Sequence, residues 1–156
     1  MITVSIVYIN RLYEILEKDN ITITSLSKYT NIDRSTLGKY IRGYIPIPLK
    51  HLNTLCSCLH TSLDYILMLS NNRQYNNNSE EINIKTFITR LKEFRKENNL
   101  TQEKLANTIN CSHSAISEYE SGKRLITISH LYMICKKYHI SADYLLGKTN
   151  NPKYLK

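Results

Sequence analysis

Between Leu100 and Arg124 the chain reads LTQEKLANTINCSHSAISEYESGKR, and a small polar cluster stands inside it: Ser112, His113 and Ser114. Two hydroxyls and an imidazole can donate and accept hydrogen bonds to a surface laid against them. Hydrolytic and metal chemistry find weaker material. Cys56, Cys58 and His60, and Cys135 with His139, put thiols near imidazoles, but neither set has the paired spacing of a structural zinc site. A buried cysteine and a histidine at a helix edge explain both. His139, Ser141 and Asp143 are the residue types of a hydrolase triad. They cluster at a helix start, where a serine caps and an aspartate meets the helix dipole. With only four glycines in the chain, no glycine-rich phosphate loop is present. The sequence therefore predicts no enzyme, no metal and no cofactor.

The composition limits the partners. The 156 residues, 42% of them hydrophobic, suffice for one ordinary domain or two small ones. A net charge of +8 and a pI near 9.3 favour a polyanion, either nucleic acid or an anionic membrane; a soluble protein with spare lysines would show the same balance. No apolar run approaches the roughly 18 residues of a membrane span. The first residues, MITVSIVYINRLYE, lack a basic start, an apolar run and a small-residue cleavage site, so they read as part of the fold. The four cysteines are too sparse for a disulfide framework, which points to a reducing, cytoplasmic setting.

The chain also repeats itself. Displaced by 79 positions and without a gap, Arg11, Leu12 and Glu14 meet Arg90, Leu91 and Glu93. Further on, Asn31, Ser35, Tyr40 and Gly43 meet Asn110, Ser114, Tyr119 and Gly122, and His51, Cys56, His60 and Asp64 meet His130, Cys135, His139 and Asp143. About a third of the aligned positions are identical, so one unit occurs twice. The expected organisation is a first domain over 1–69, a linker over 70–81, a second domain over 82–148 and a tail over 149–156. SNNRQYNNNSEE, the linker, is polar and has no apolar period, so it cannot bury a core. The tail GKTNNPKYLK is expected to fray for the same reason.

Each unit reads as helix throughout. In the second, Ile84, Phe87, Ile88, Leu91 and Phe94 recur at helical spacing, and that helix should end near Asn98 and Asn99. Thr101, Ser112, Thr127 and Ser141 are placed to cap four further helices. Leu105 and Ile109, then Ala115, Ile116 and Tyr119, then Leu131, Ile134, Cys135 and Tyr138 supply inward faces. Gly122 suits the left-handed residue that closes a helix. No segment alternates with period two, so no strand is expected. Only Asn110 to Ser112 separate the second and third helices. Helices joined so tightly must cross steeply, and the turn needs a residue tolerant of positive φ, which Asn110 and its counterpart Asn31 provide. The polar cluster of Ser112, His113 and Ser114 thus sits on the leading end of the second helix of a helix-turn-helix.

TQEKLANTINCSHSAISEYESGKR resembles the helix-turn-helix of the phage repressor and Cro-like (XRE) family, which runs roughly T-Q-x-x-L-A, a turn, then S-x-x-x-I-S-x-Y-E-x-G-K-R. The closing SADYLLG resembles the family's last helix. The likeness covers about residues 84 to 147. It implies an all-α fold of two tandem five-helix, lambda-repressor-like helix-turn-helix domains. The first copy, ITITSLSKYTNIDRSTLGKYIRGYIPIP, keeps Leu26, Leu37, Tyr40 and Gly43 but has Ile23 where the family has Gln and Ser27 where it has Ala. Gly38 interrupts its third helix at a cost of about 1 kcal/mol relative to Ala, and Pro46 and Pro48 stiffen the loop beyond.

Carried onto this sequence, the resemblance implies double-stranded DNA as partner and a transcriptional regulator, in the first instance a repressor. The leading residues of the second motif helix meet base edges in the major groove: Ser112, His113 and Ser114, then Ser117 and Glu118 one turn on. Gln102 matches the family's phosphate-contacting glutamine. Lys123 and Arg124 would pair with phosphates, which position without encoding sequence. Tyr119 reads as core. In the first unit Arg34, Ser35 and Lys39 hold the reading positions, and Arg34 has the guanidinium that grips guanine. Up to Asn72 the net charge is +2 and from Glu80 onward it is +5, so the second unit is the stronger DNA candidate. A homodimer in which only the second units read DNA competes with one chain bridging two half-sites. The rival class is a protein-interaction or antitoxin-like adaptor whose first domain docks or dimerises; nonspecific nucleoid binding is a third. No small-molecule effector is implied.

Overall fold

A computed structural model describes residues 4–73 and 77–154, and every regular element in them is an α-helix. They fall into two compact units that part between Arg73 and Asn77; residues 74–76 of the expected linker lie outside the described residues.

The first unit holds α1 (Val4–Lys18), α2 (Ile23–Thr30), α3 (Arg34–Ile41), α4 (Leu49–Cys58) and α5 (Leu63–Ile66). The second holds α6 (Ile84–Glu97), α7 (Gln102–Thr108), α8 (His113–Ser121), α9 (Ile128–Tyr138) and α10 (Ala142–Leu145). The caps are local. The hydroxyls of Thr101, Ser112, Thr127 and Ser141 accept from the backbone N–H groups of Lys104, Ala115, His130 and Tyr144, satisfying donors that a helix start leaves unpaired. In the first unit Thr22, Asp33 and Ser62 do the same, but Pro48 opens α4 with no side-chain cap. The turns before α3 and α8 pass through left-handed Asn31 (φ 57°) and Asn110 (φ 53°), and Gly122 (φ 74°) closes α8.

Each unit has its own core. Leu12, Leu26, Leu37, Leu52 and Leu63 are buried in the first; Phe87, Leu91, Leu105, Ile116, Tyr119, Leu131 and Leu145 are buried in the second. One bridge recurs in both. The Tyr40 hydroxyl lies 2.7 Å from His51 Nδ1 and the Tyr119 hydroxyl 2.7 Å from His130 Nδ1, tying the second motif helix to the one after it.

Three features depart from the expectations. Ile84 is 51% exposed and Ile88 only half-buried: Phe87, Leu91 and Phe94 carry the buried face of α6. The tail does not fray as far as Tyr154. Arg90 donates to the carbonyl of Thr149 and to the Asn150 side chain, Ser141 N–H to the carbonyl of Pro152, and the Tyr154 hydroxyl lies 3.1 Å from His139 Nδ1. Hydrogen bonds to the unit, not apolar period, hold it. Finally, both described ends of the polar stretch are fastened. The Arg73 guanidinium grips the Asp19 carboxylate and the Leu59 carbonyl; the Asn77 amide donates to Asp143 and the Ser79 N–H to the Lys148 carbonyl.

Candidate nucleic-acid interface

The leading turn of α8 presents its polar cluster to solvent. Ser112 caps the helix, and its hydroxyl lies 3.1 Å from that of Ser114. His113, Ser114 and Ser117 are exposed, while Ala115 and Ile116 beside them are buried. The helix is therefore anchored by one face and free on the other, as a groove-reading helix requires. Past its C-terminus Lys123 and Arg124 are exposed. Arg124 is not idle: its Nε pairs with the Glu118 carboxylate at 3.0 Å and its guanidinium lies 5.3 Å from the Tyr119 ring centroid.

Behind this surface lies a network that spacing did not disclose. Glu120 is 3% exposed and receives Arg95 Nε at 2.5 Å, Arg95 Nη2 at 3.1 Å and the Gln102 amide at 2.9 Å. Burial works against its charge, but the hydrogen bonds from Arg95 and Gln102 outweigh it and hold its carboxyl below the ordinary glutamate range. Arg95 also donates to the carbonyl of Leu100. One carboxylate thus locks α6, α7 and α8 together, and Gln102, expected at a phosphate, stands half-buried with its amide directed at Glu120.

The first unit departs from the second at each of these places. Arg34, Ser35 and Lys39 are exposed on α3, and Asp33 caps it through the Thr36 N–H at 2.9 Å. Where the second unit has Arg95, Gln102 and Glu120, the first has Leu16, Ile23 and Ile41; where it has Lys123 and Arg124, the first has Tyr44 and Ile45. Tyr44 is 73% exposed and Ile45 38%. The internal alignment contained this contrast, but it becomes meaningful only when Arg95, Gln102 and Glu120 meet in the structure.

The set-aside sites read as follows. Cys56 and Cys135 are buried, His60 and His139 are left-handed residues ending α4 and α9, and no three metal-ligating side chains come together among the described residues. Asp143 is buried with Lys148, 3.8 Å away, an ion pair hidden in what read as the start of a tail. No helix among the described residues is long and apolar enough to cross a membrane.

Each unit is a helix-turn-helix domain, and the chain belongs to the phage-repressor and Cro-like helix-turn-helix family in two tandem copies. Residues 11–70 match the family model described as Cro/C1-type HTH DNA-binding domain, and residues 91–145 match one described as helix-turn-helix. Among curated proteins, an uncharacterized HTH-type transcriptional regulator, YobD of Bacillus subtilis (strain 168), is 33% identical over 66 residues, which is 42% of this chain and 59% of that one. The HTH-type transcriptional activator BcrR of Enterococcus faecalis is 40% identical over 61 residues, 39% of this chain and 30% of that protein. The matches thus span 59% and 30% of these two relatives. No solved structure matches the chain.

Proposed function

We propose that this protein is a cytoplasmic, DNA-binding transcriptional regulator that acts as a homodimer, its second unit reading DNA and its first holding two copies together. One observation carries the reading: α8 buries Ala115 and Ile116 while leaving His113, Ser114 and Ser117 exposed at its leading end, with Lys123 and Arg124 beyond. In this arrangement α8 lies in the major groove. Ser112, His113 and Ser114 meet base edges first, Ser117 and Glu118 follow one turn on, and Lys123 and Arg124 face phosphates, while Gln102, its amide held by Glu120, braces α7 behind them. The relatives' names, a transcriptional regulator and a transcriptional activator, agree with this class. Repression follows the likeness to phage repressors, whereas one relative is named an activator, so reporter output must be read for both signs.

Arg34, Ser35 and Lys39 are the first unit's reading set, but Ile23, Tyr44 and Ile45 replace the residues that would hold phosphates beside them. A reading helix without backbone anchors has no fixed register. That favours docking for the first unit.

Selection from a random DNA pool supplies the sequence to test. Fluorescence anisotropy then compares it with a scrambled duplex at two salt concentrations. The reading expects a preference of about a thousandfold or more and an affinity that falls steeply with salt. Equal affinity for both duplexes would indicate nonspecific binding, and no binding would leave the protein-interaction reading.

A further inference from the structure

An open cleft of about 720 Å³ lies in the first unit between the end of α1, the start of α2 and the end of α3. Leu16 and Ile41 are buried in it, Ile23 is half-buried and Tyr13 is 44% exposed. Glu17 and Arg42, both exposed, also line it. The matching place in the second unit holds the Arg95–Glu120–Gln102 network. Asn20 and Thr22 line the cleft as well, so the ion-paired brace has been exchanged for an open cleft in which the replacing residues, Leu16, Ile23 and Ile41, are apolar.

The hollow does not suit a small ligand, because such sites enclose most of the ligand surface and this one is largely open. It does not suit a phosphate backbone, because Arg42 is the one cation among its lining residues and the Glu17 carboxylate lines it too. Its charges point to a different occupant. One acid and one base line the same cleft, and among the described residues neither Glu17 nor Arg42 is ion-paired. Across a two-fold axis a patch meets itself, residue i against j and j against i. Two such clefts can then close with Tyr13 and Ile23 inside and each Glu17 against the other copy's Arg42. Any other partner would need to supply the reversed pattern; a second copy carries it.

We infer that this cleft is the surface through which two copies of the chain associate. The inference deepens the homodimer part of the proposed function and rests on that part alone. It is tested by sedimentation equilibrium of the full chain without DNA, so its failure leaves DNA reading by α8 untouched. The wild-type chain sediments as a dimer below about 100 μM, the range of a specific interface. Glu17→Arg sets like charges against each other twice per dimer, and so does Arg42→Glu; each weakens association by about tenfold or more. The doubly exchanged chain restores the attraction and returns to within about threefold of wild type. Ile23→Gln, which installs the second unit's residue, weakens association independently of charge. Thermal melts confirm that each variant is folded. A monomer at that concentration, a dimer indifferent to the single exchanges, or a double exchange that fails to rescue would each overturn the inference.

Discussion

Glu118 and Arg124 hold each other at 3.0 Å around the C-terminal end of α8, so one of the two cations proposed to meet phosphates already has an acidic neighbour. Lys123→Ala and Arg124→Ala are expected to weaken binding to all sequences alike, each flattening the plot of log affinity against log salt by about one unit. Glu118→Gln removes the competitor and should strengthen binding to scrambled DNA. A salt titration of the three variants checks this; a loss confined to one sequence would show that the two cations touch bases.

His113 and Ser114 are exposed at the helix start, and the Ser112 cap remains when they are removed. The double change to Ala should lower the ratio of specific to nonspecific affinity by about tenfold or more, with a melting temperature close to wild type. An unchanged ratio would dismiss this turn as the reader.

Arg34 gives the corresponding test for the first unit. With the first units paired and away from DNA, Arg34→Ala should cost less than about 0.5 kcal/mol in DNA affinity. A loss of about 1 to 3 kcal/mol with relaxed specificity in one half-site, together with one chain per operator by sedimentation, would replace the homodimer with a single chain bridging two half-sites.

Glu120 couples stability to pH. Its folded pKa lies below that of an unfolded glutamate, about 4.3. The charged network therefore contributes fully above about pH 5 and fades as pH falls through 4.3 towards the lower folded value. At neutral pH Glu120→Gln should destabilise the second unit by about 1 to 3 kcal/mol. The gap from wild type should narrow below about pH 4. Urea melts across that range measure it; a constant gap would mean that the network is not held by charge.

Gly38 lies inside α3 with the nearest foreign atom to a built Cβ, the Arg42 guanidinium, 4.0 Å away. A methyl group fits there. Gly38→Ala should therefore stabilise the first unit by about 0.5 to 1 kcal/mol, and a calorimetric scan should show the gain.

What the sequence disclosed was local. Thr101, Ser112, Thr127 and Ser141 could be read as caps because a short hydroxyl side chain before an apolar period acts on a backbone N–H three residues on. Asn31, Asn110 and Gly122 could be read because a turn imposes its own φ. Glu120 could not, since its partners Arg95 and Gln102 lie 25 and 18 positions away and only packing brings them together. The same holds for Lys148 against Asp143, and for the tail, whose anchors Arg90 and His139 lie in α6 and at the cap that ends α9. The polar surface of α8 was legible as a pattern, but the open cleft at Leu16, Ile23 and Ile41 was not, because separate hydrophobic residues read as ordinary core.

The fastenings at Arg73 and Asn77 decide where this gene can be cut. A break between their codons would hand each product its own closing side chains: the guanidinium that meets Asp19 and the Leu59 carbonyl, and the amide that meets Asp143. A break at either edge of the asparagine-rich stretch, where composition alone would place it, deprives one product of a part. Cut after Leu69, the first half loses Arg73; begun at Ile82, the second loses Asn77 and Ser79. As an exchangeable piece of coding sequence, each half includes residues that look like spacer.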